Sequence, residues 1–222
     1  MKNIIFIAPP AAGKGTLSNL LQVNYDYDHI STGDMLREEI ALESELGLRV
    51  KNIIESGQLV DDETITELLK NKLSKLTGKP FVLDGFPRTL NQAKSLKILF
   101  EELNIDYCVI SLEIDEQTAM ERSLGRLTCS CGRSYNMYND ALKPKVENVC
   151  DDCGNTLVKR NDDNEESFKV RFKTFLDNTA PIVDFYKELN KLYEINVNEG
   201  SDVAFKNIEK VIQWLIWKVC AK

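Results

Sequence analysis

Short apolar runs alternate along the chain with longer segments in which apolar residues recur at helical spacing. Four runs predict buried β-strands, at residues 2–8, 81–84, 107–112 and, more weakly, 192–197. Because strands that alternate with helices are joined by crossover connections, the pattern predicts an α/β fold with a parallel sheet. The segments with helical spacing are 17–23, 61–75, 89–103, 115–125, 164–175, 179–190 and 202–219.

Two stretches depart from this alternation and are predicted to be insertions into it. Residues 31–60 have helical spacing without a strand, whereas residues 127–160 are rich in Cys, Asn, Asp and Gly and contain only short β-like segments. The remaining ranges, 1–30, 61–126 and 161–222, form the predicted core domain.

The composition narrows the classes of function. With 222 residues, 43% of them hydrophobic, the chain is long enough to bury one full core. Its net charge of −7 disfavours binding to nucleic acid or to an anionic membrane surface, since both require a basic protein surface. No apolar stretch reaches the length of a membrane span, and the N-terminal pattern is not that of a signal peptide, so the expected location is the cytoplasm.

Residues 8–16, Ala-Pro-Pro-Ala-Ala-Gly-Lys-Gly-Thr, lie between the first predicted strand and the first helix. In that position backbone N–H groups and a helix N-terminus can surround phosphate, and Lys14 would reach the outer phosphates of a nucleotide. The segment departs from the usual P-loop pattern, because Ala8 replaces the first glycine and Gly15 stands where a hydroxyl normally follows the lysine. An ordinary strand-to-helix turn is the alternative interpretation.

Asp84 ends the second strongly apolar strand. A carboxylate at the C-terminal end of a parallel strand, beside a phosphate loop, commonly holds the magnesium that accompanies a triphosphate. The alternative is a turn residue before Gly85. The candidate loop and the candidate carboxylate reinforce each other, because the same chemistry requires both.

Three segments together resemble the signature segments of adenylate kinases. They are residues 13–16 (Gly-Lys-Gly-Thr), 31–37 (Ser-Thr-Gly-Asp-Met-Leu-Arg) and 84–89 (Asp-Gly-Phe-Pro-Arg-Thr). Their order and spacing are also similar to those of the family, and the resemblance extends over essentially the whole chain. The Asp-Gly-Phe-Pro-Arg segment resembles nucleoside monophosphate kinases specifically, which a P-loop alone would not.

The resemblance implies reversible transfer of the γ-phosphoryl group of Mg-ATP to AMP, giving two ADP. It implies a P-loop kinase core with a parallel five-stranded sheet flanked by helices, a helical AMP-binding domain at 31–60 and a small β-rich lid at 127–160. Magnesium would be held by Asp84 through water. The reaction needs no side-chain base, because the attacking oxygen belongs to an ionised phosphate. The single histidine, His29, is accordingly predicted to be structural.

By position, the resemblance also implies the residues of each site. The implied ATP site consists of Ala11, Ala12, Gly13, Lys14, Gly15, Thr16, Arg122, Arg126 and Ser201. The implied AMP site consists of Thr32, Arg37, Gln58, Leu59, Val60, Gly85, Phe86, Pro87, Arg88, Gln92, Arg160 and Arg171. The residues implied in catalysis are Lys14, Arg88, Arg126, Arg160, Asp162 and Arg171. Six of the eight arginines therefore occupy nucleotide positions, where a rigid guanidinium pairs with two phosphate oxygens.

Four of the six cysteines lie in the predicted lid, as Cys129-x-Cys131 and Cys150-x-x-Cys153. Each pair precedes a glycine, as in zinc knuckles, and four thiolates suit a tetrahedral zinc ion. Many bacterial adenylate kinases carry a structural zinc in the lid, but there the first pair is usually Cys-x-x-Cys. We expect zinc here, rather than free or disulfide-linked cysteines, because so polar an insertion needs a cross-link to fold.

Three alternative functions are also compatible with the sequence. The first is a kinase for another monophosphate, such as UMP or CMP. The second is a catalytically weakened nucleotide sensor, suggested by the altered phosphate loop. The third is a zinc-ribbon nucleic-acid binder, against which the acidic net charge argues. The expected partners are ATP, AMP and ADP, with no nucleic acid and no membrane, and the chain is expected to be a monomer.

Overall fold

A five-stranded parallel sheet forms the centre of the computed structural model, which describes residues 1–76 and 78–220. The strands are β1 (Asn3–Ile7), β2 (Asp28–Ser31), β3 (Phe81–Asp84), β4 (Tyr107–Glu113), β5 (Arg126–Thr128), β6 (Ser134–Asn136) and β7 (Leu192–Asn196). The central sheet has the order β2-β3-β1-β4-β7, and its four pairings are all parallel. The predicted α/β fold and its four predicted strands are confirmed.

Helices cover both faces of this sheet. They are α1 (Lys14–Tyr25), α2 (Thr32–Ala41), α3 (Glu45–Glu55), α4 (Asp62–Leu73), α5 (Leu90–Glu102), α6 (Glu116–Leu124), α7 (Glu165–Thr174), α8 (Ile182–Glu188) and α9 (Ser201–Cys220). Each of the predicted helical segments contains a helix. In the described ranges, no helix combines the length and the apolar content that crossing a bilayer requires.

Strand β2 was not predicted from the apolar pattern. Its sequence, Asp-His-Ile-Ser, contains one strongly apolar residue, Ile30, which is buried. The strand lies at the edge of the sheet and pairs only with β3. An edge strand of four residues needs little apolar surface, so its sequence carries almost no strand signal.

The central strand β1 separates two apolar cores. Alternate side chains of a strand point to opposite faces, and here Ile5 and Ile7 enter one core while Ile4 and Phe6 enter the other. Helices α4, α5 and α8 contribute to the first core, and α1 and α9 contribute to the second. Burial on both faces explains why β1 and β4 are continuous apolar runs rather than alternating ones.

The carboxyl ends of the parallel strands meet along one edge of the sheet. Phe6 of β1 is in register with Asp84 of β3, and Asp84 is in register with Ser31 of β2. The loop after β1, the start of α2 and the loop after β3 are therefore neighbours, although they are far apart in sequence. In open α/β sheets this edge is where ligands bind.

The two predicted insertions have different structures. The first contains α2 and α3, and the second contains the antiparallel pair β5 and β6. The second has its own small core of Cys129, Tyr135, Cys150 and Leu157. The division of the chain into a core domain and two moving insertions stays a prediction.

Candidate active site

A cavity of about 760 Å³ lies at the carboxyl edge of the sheet. The predicted nucleotide-site residues line it, from both insertions as well as from the core, with one exception. That exception is Phe86, which is 1% exposed and belongs to the apolar core. Its ring therefore anchors the loop after β3 in the core, and the predicted contact between Phe86 and AMP stays a prediction.

The loop after β1 wraps around the N-terminus of α1. Gly13, with φ 88°, immediately precedes the helix, and Ala11 has φ 58°, in the left-handed region that L-residues disfavour. Ala8 is not among the residues with positive φ. Of Ala8 and Ala11, Ala11 alone therefore has a strained backbone conformation.

Lys14, the first residue of α1, is turned back over the loop. Its Nζ donates hydrogen bonds to the carbonyl oxygens of Pro9 (3.1 Å) and Ala8 (3.4 Å). Burial lowers the pKa of Lys14 to about 8, and Asp84 opposes this shift while Arg88 and other arginines add to it. Loss of water and neighbouring positive charge both destabilise the Lys14 ammonium. A bound phosphate would stabilise it, because its negative charge offsets both effects.

Asp84 is a buried carboxylate beside this lysine. Burial alone would raise its pKa, but Lys14 and His29 outweigh burial and hold the pKa below its ordinary value. The Nε2 atom of His29 lies 3.8 Å from the Asp84 carboxylate, so the histidine is a neighbour of the site. An ionised, buried carboxylate next to a phosphate loop has the charge and the oxygen donors that Mg²⁺ prefers.

Three aspartates hold four of the arginines that line the cavity, namely Arg37, Arg126, Arg160 and Arg171. Arg126 pairs with Asp163 through both Nε (2.8 Å) and a terminal nitrogen, and Arg171 donates to Asp162 Oδ2 (2.6 Å) and to Asp163 Oδ1 (3.3 Å). Asp163 is 1% exposed. Burial would raise the pKa of Asp163, but Arg126 and the other arginines hold it below the ordinary value. The residues implied in catalysis by the sequence included Asp162 but not Asp163.

The third aspartate, Asp34, contacts one arginine from each insertion. Its Oδ1 accepts from Arg37 (2.5 Å) and lies 3.6 Å from a terminal nitrogen of Arg160. Burial, together with Arg126 and Arg37, lowers the pKa of Arg160 to about 10. A lowered pKa in an arginine indicates positive charge that the protein itself does not balance, which is the electrostatic requirement for an anion site.

The lining of the cavity also includes apolar side chains. Leu36, Val60 and Ile65 belong both to this lining and to the first apolar core, and we call these three residues the apolar slot. Gly85 closes one side with φ 84°, and a Cβ there would lie 2.6 Å from the Thr32 hydroxyl oxygen. Any side chain at position 85 would therefore displace Thr32 in addition to straining the backbone.

Arg122, in the last turn of α6, also lines the cavity. One terminal nitrogen donates to the carbonyl oxygens of Val197 and Asn198, both at 3.0 Å. These contacts fix the segment that leads into α9, where Ser201 lines the cavity. The end of α6 and the start of α9 thus form one wall around the space beyond the phosphate loop.

The four lid cysteines converge although the first pair is one residue short. Their sulfurs all lie within 4.8 Å of one another, with Cys129–Cys153 at 3.4 Å and Cys131–Cys150 at 3.6 Å. Tetrahedral zinc with Zn–S bonds of about 2.3 Å places its sulfurs about 3.8 Å apart, so the cluster has the right size. The Tyr135 hydroxyl donates to the sulfur of Cys150 (3.5 Å), and this bond lowers the Cys150 pKa to about 6. A stabilised thiolate is the form that binds a metal.

Comparison with known proteins agrees with this geometry. A family model described as adenylate kinase matches residues 6–191. The chain belongs to the adenylate kinase family. It is 42% identical to the adenylate kinase of Thermosipho africanus, with 95% of this chain and 99% of that protein covered. The adenylate kinases of Archaeoglobus fulgidus and Borrelia turicatae are 39% and 38% identical, with 95% and 94% of this chain and 98% of each relative covered.

We expect Ala11→Gly to leave ATP binding equal or tighter and to raise the free energy of unfolding by up to about 1 kcal/mol. Glycine removes the left-handed strain, and the gain is partly offset by the greater entropy of the unfolded chain. ATP titration and denaturant unfolding measure the two effects.

The matched control for this prediction is Ala12→Gly. Ala12 is buried in the apolar core and has no positive φ, so glycine relieves nothing there and is expected to lower stability. A clear loss of ATP affinity in Ala11→Gly would show that the loop depends on the alanine.

Proposed function

We propose that the chain catalyses the reversible transfer of the γ-phosphoryl group of Mg-ATP to AMP, giving two ADP. Membership of the adenylate kinase family supports this function. The structural observation that supports it most directly is that four cations line one cavity, together with the phosphate loop and the apolar slot. These cations are Lys14, Arg88, Arg126 and Arg171. ATP and AMP that bind with their phosphates facing each other would bring those phosphates together among these cations.

ATP would bind with its phosphates on the loop and its base toward Arg122. The backbone N–H groups of residues 11–16 and the N-terminus of α1 supply donors, and Lys14 supplies a mobile positive charge. The proposed contacts are Ala11, Ala12, Gly13, Lys14, Gly15, Thr16, Arg122, Arg126 and Ser201, which all line the cavity.

AMP would bind on the other side, with its phosphate on Arg37, Arg88 and Arg160. Thr32, Gly85 and Gln92, with the apolar slot, would surround the base, and Gln58, Leu59, Val60 and Pro87 complete the wall. The chain of cations from Arg37 to Lys14 would place the AMP oxygen in line with the γ-phosphorus of ATP.

Catalysis would consist of positioning and charge neutralisation. Arg88, Arg126, Arg160 and Arg171 would stabilise the charge on the transferring phosphoryl group, and Asp162 and Asp163 would keep two of these arginines aligned. Adenylate kinases use Mg²⁺ with ATP, and Asp84 is the residue that would hold it, through water. Bound magnesium would neutralise phosphate oxygens beside Lys14.

Water must be kept out, because otherwise ATP would be hydrolysed. We propose that residues 31–60 and 127–160 close over the cavity as an AMP-binding domain and a lid. Two contacts support this: Asn19 on α1 donates to the carbonyl oxygen of Gly132 in the lid (2.9 Å), and Asn161 donates to Glu55 of α3 (3.3 Å). Weak surface contacts of this kind suit a reversible closure.

We propose that the lid cysteines bind one structural zinc ion. Cys129, Cys131, Cys150 and Cys153 supply four ligands, which leaves no open position for catalysis. Zinc thiolates persist in a reducing compartment, which supports a cytoplasmic location. We also propose a monomer, since both proposed nucleotide sites are built from one chain.

ADP formation from Mg-ATP with AMP, UMP, CMP or GMP tests the proposed function. We expect turnover with AMP to exceed that with each other monophosphate. Lys14→Ala is expected to lower kcat at least a hundredfold, because it removes a charge that acts on the transferring phosphate. Lys210→Ala, which changes an exposed lysine on α9, is the control and is expected to keep full activity.

Preference for UMP or CMP would establish the alternative kinase. AMP turnover at the level of the uncatalysed reaction, with nucleotide binding intact, would contradict the proposal and favour a nucleotide sensor.

Metal analysis of reduced, metal-replete protein is expected to find one zinc ion per chain. Cys131→Ser should lose the zinc and lower the thermal midpoint of unfolding, because without the metal the lid is stabilised by an apolar core of four buried residues. Ser130→Ala, which changes the residue between two ligands, is the control and should retain it. A wild-type protein without zinc under these conditions would refute the metal site.

A further inference from the structure

Two side chains at the rim of the proposed AMP site, Asp62 and Gln92, are joined by a short hydrogen bond. The Gln92 amide nitrogen donates to Asp62 Oδ1 at 2.5 Å. Asp62 is the first residue of α4, and Gln92 lies in the first turn of α5. Gln92 is 4% exposed and lines the cavity beside the apolar slot.

The two partners of Gln92 fix the orientation of its amide. Its Oε1 accepts from the backbone N–H of Arg88 at 2.7 Å, and its Nε2 donates to Asp62. An N–H can only donate, and an ionised carboxylate can only accept. Flipping the amide would place two donors together at Arg88 and two acceptors together at Asp62, so both bonds would be lost.

Asp62 is itself held in place. Its second oxygen, Oδ2, accepts from the Thr89 hydroxyl at 3.3 Å. The same hydroxyl accepts from the backbone N–H of Gln92 at 3.2 Å and so caps α5. The carboxylate therefore joins the first turns of α4 and α5, and its position relative to the Gln92 amide does not depend on a free rotamer.

The orientation of the Gln92 amide determines where its remaining hydrogen-bond donor and acceptor lie. After its two bonds, Gln92 retains one N–H donor and one acceptor lone pair. On the edge of adenine the exocyclic N6 amine donates and ring nitrogen N1 accepts, whereas in a 6-oxopurine O6 accepts and N1–H donates. An amide held in one orientation matches one of these patterns and opposes the other.

We infer that Asp62 determines base specificity by fixing the Gln92 amide in the orientation that matches adenine. Asp62 is thus a positioning residue, acting through Gln92 rather than on the substrate. This inference rests on the proposed function, in which AMP occupies the slot beside Gln92. It adds Asp62 to the residues of that site. It also explains why residue 62 is an aspartate, because an ionised carboxylate accepts hydrogen bonds and cannot donate them.

The test compares AMP with IMP as acceptors, since IMP inverts the donor and acceptor at the 6-position and N1. Asp62→Asn keeps the shape but lets residue 62 donate, so a flipped Gln92 would lose one bond instead of two. We expect the ratio of kcat/KM for AMP to that for IMP to fall about tenfold, mainly through a gain with IMP, while KM for ATP is unchanged.

Asp61→Asn is the matched control. Asp61 carries the same charge one residue earlier, caps α4 by accepting from the Thr64 N–H, and Asn caps helices equally well. Its AMP/IMP ratio should equal that of the wild type. Asp62→Ser, which is too short to reach Gln92, is a second variant in case Asp62→Asn does not fold, and it should also lower the ratio.

A Gln92→Met background separates positioning from a structural role. If Asp62 acts through the amide, Asp62→Asn should change the AMP/IMP ratio less than twofold when Gln92 is absent. An unchanged ratio in folded Asp62→Asn, or an equal effect with and without Gln92, would overturn the inference while leaving the proposed function intact. A wild-type enzyme that does not phosphorylate AMP would overturn the proposed function itself.

Discussion

Positive charge held around one cavity is the constraint on which the rest of the site depends. Lys14, Arg88, Arg126 and Arg171 repel one another at close range, and burial deprives each of them of water. Without balancing groups these side chains would turn outward to solvent. The buried carboxylates of Asp162 and Asp163 hold Arg126 and Arg171 at the cavity, and backbone carbonyl oxygens hold Lys14 and Arg88. Part of the positive charge is not neutralised by the protein itself. This charge attracts and binds phosphate.

The register of the sheet aligns the ends of β1, β2 and β3, and so brings the phosphate loop, Asp84 and the segment of Arg88 together. Most of this architecture was predictable from the sequence. β1, β3 and β4 are buried on both faces and so appear as unbroken apolar runs, which are easy to recognise. Strand β2 was missed because an edge strand such as Asp28–Ser31 needs only one buried side chain. Its place in the sheet depends on pairing with β3, which is a tertiary property that no local pattern encodes.

The candidate site was predictable where a residue type is rare and was not where it is common. Arginine is scarce, so the resemblance of six arginines to nucleotide positions was informative. Asp163 and Asp62 were missed because the chain has many acidic residues, and an aspartate beside another or at a helix start ordinarily faces solvent. Their roles depend on contacts with Arg126 and Gln92 across the fold. The buried ring of Phe86 shows that a signature segment contains residues that support the loop as well as residues that line the cavity.

The most direct test of the central claim is the kcat of Asp163→Asn, measured with saturating Mg-ATP and AMP at a temperature where the variant is folded. Asparagine keeps the shape of Asp163 but removes the charge that aligns Arg126 and Arg171, and Asp177→Asn on the surface is the control. We predict a fall in kcat of about a hundredfold, with a smaller change in KM for either nucleotide. A kcat equal to that of the wild type would contradict it, because the arginines would then be positioned without their buried carboxylate.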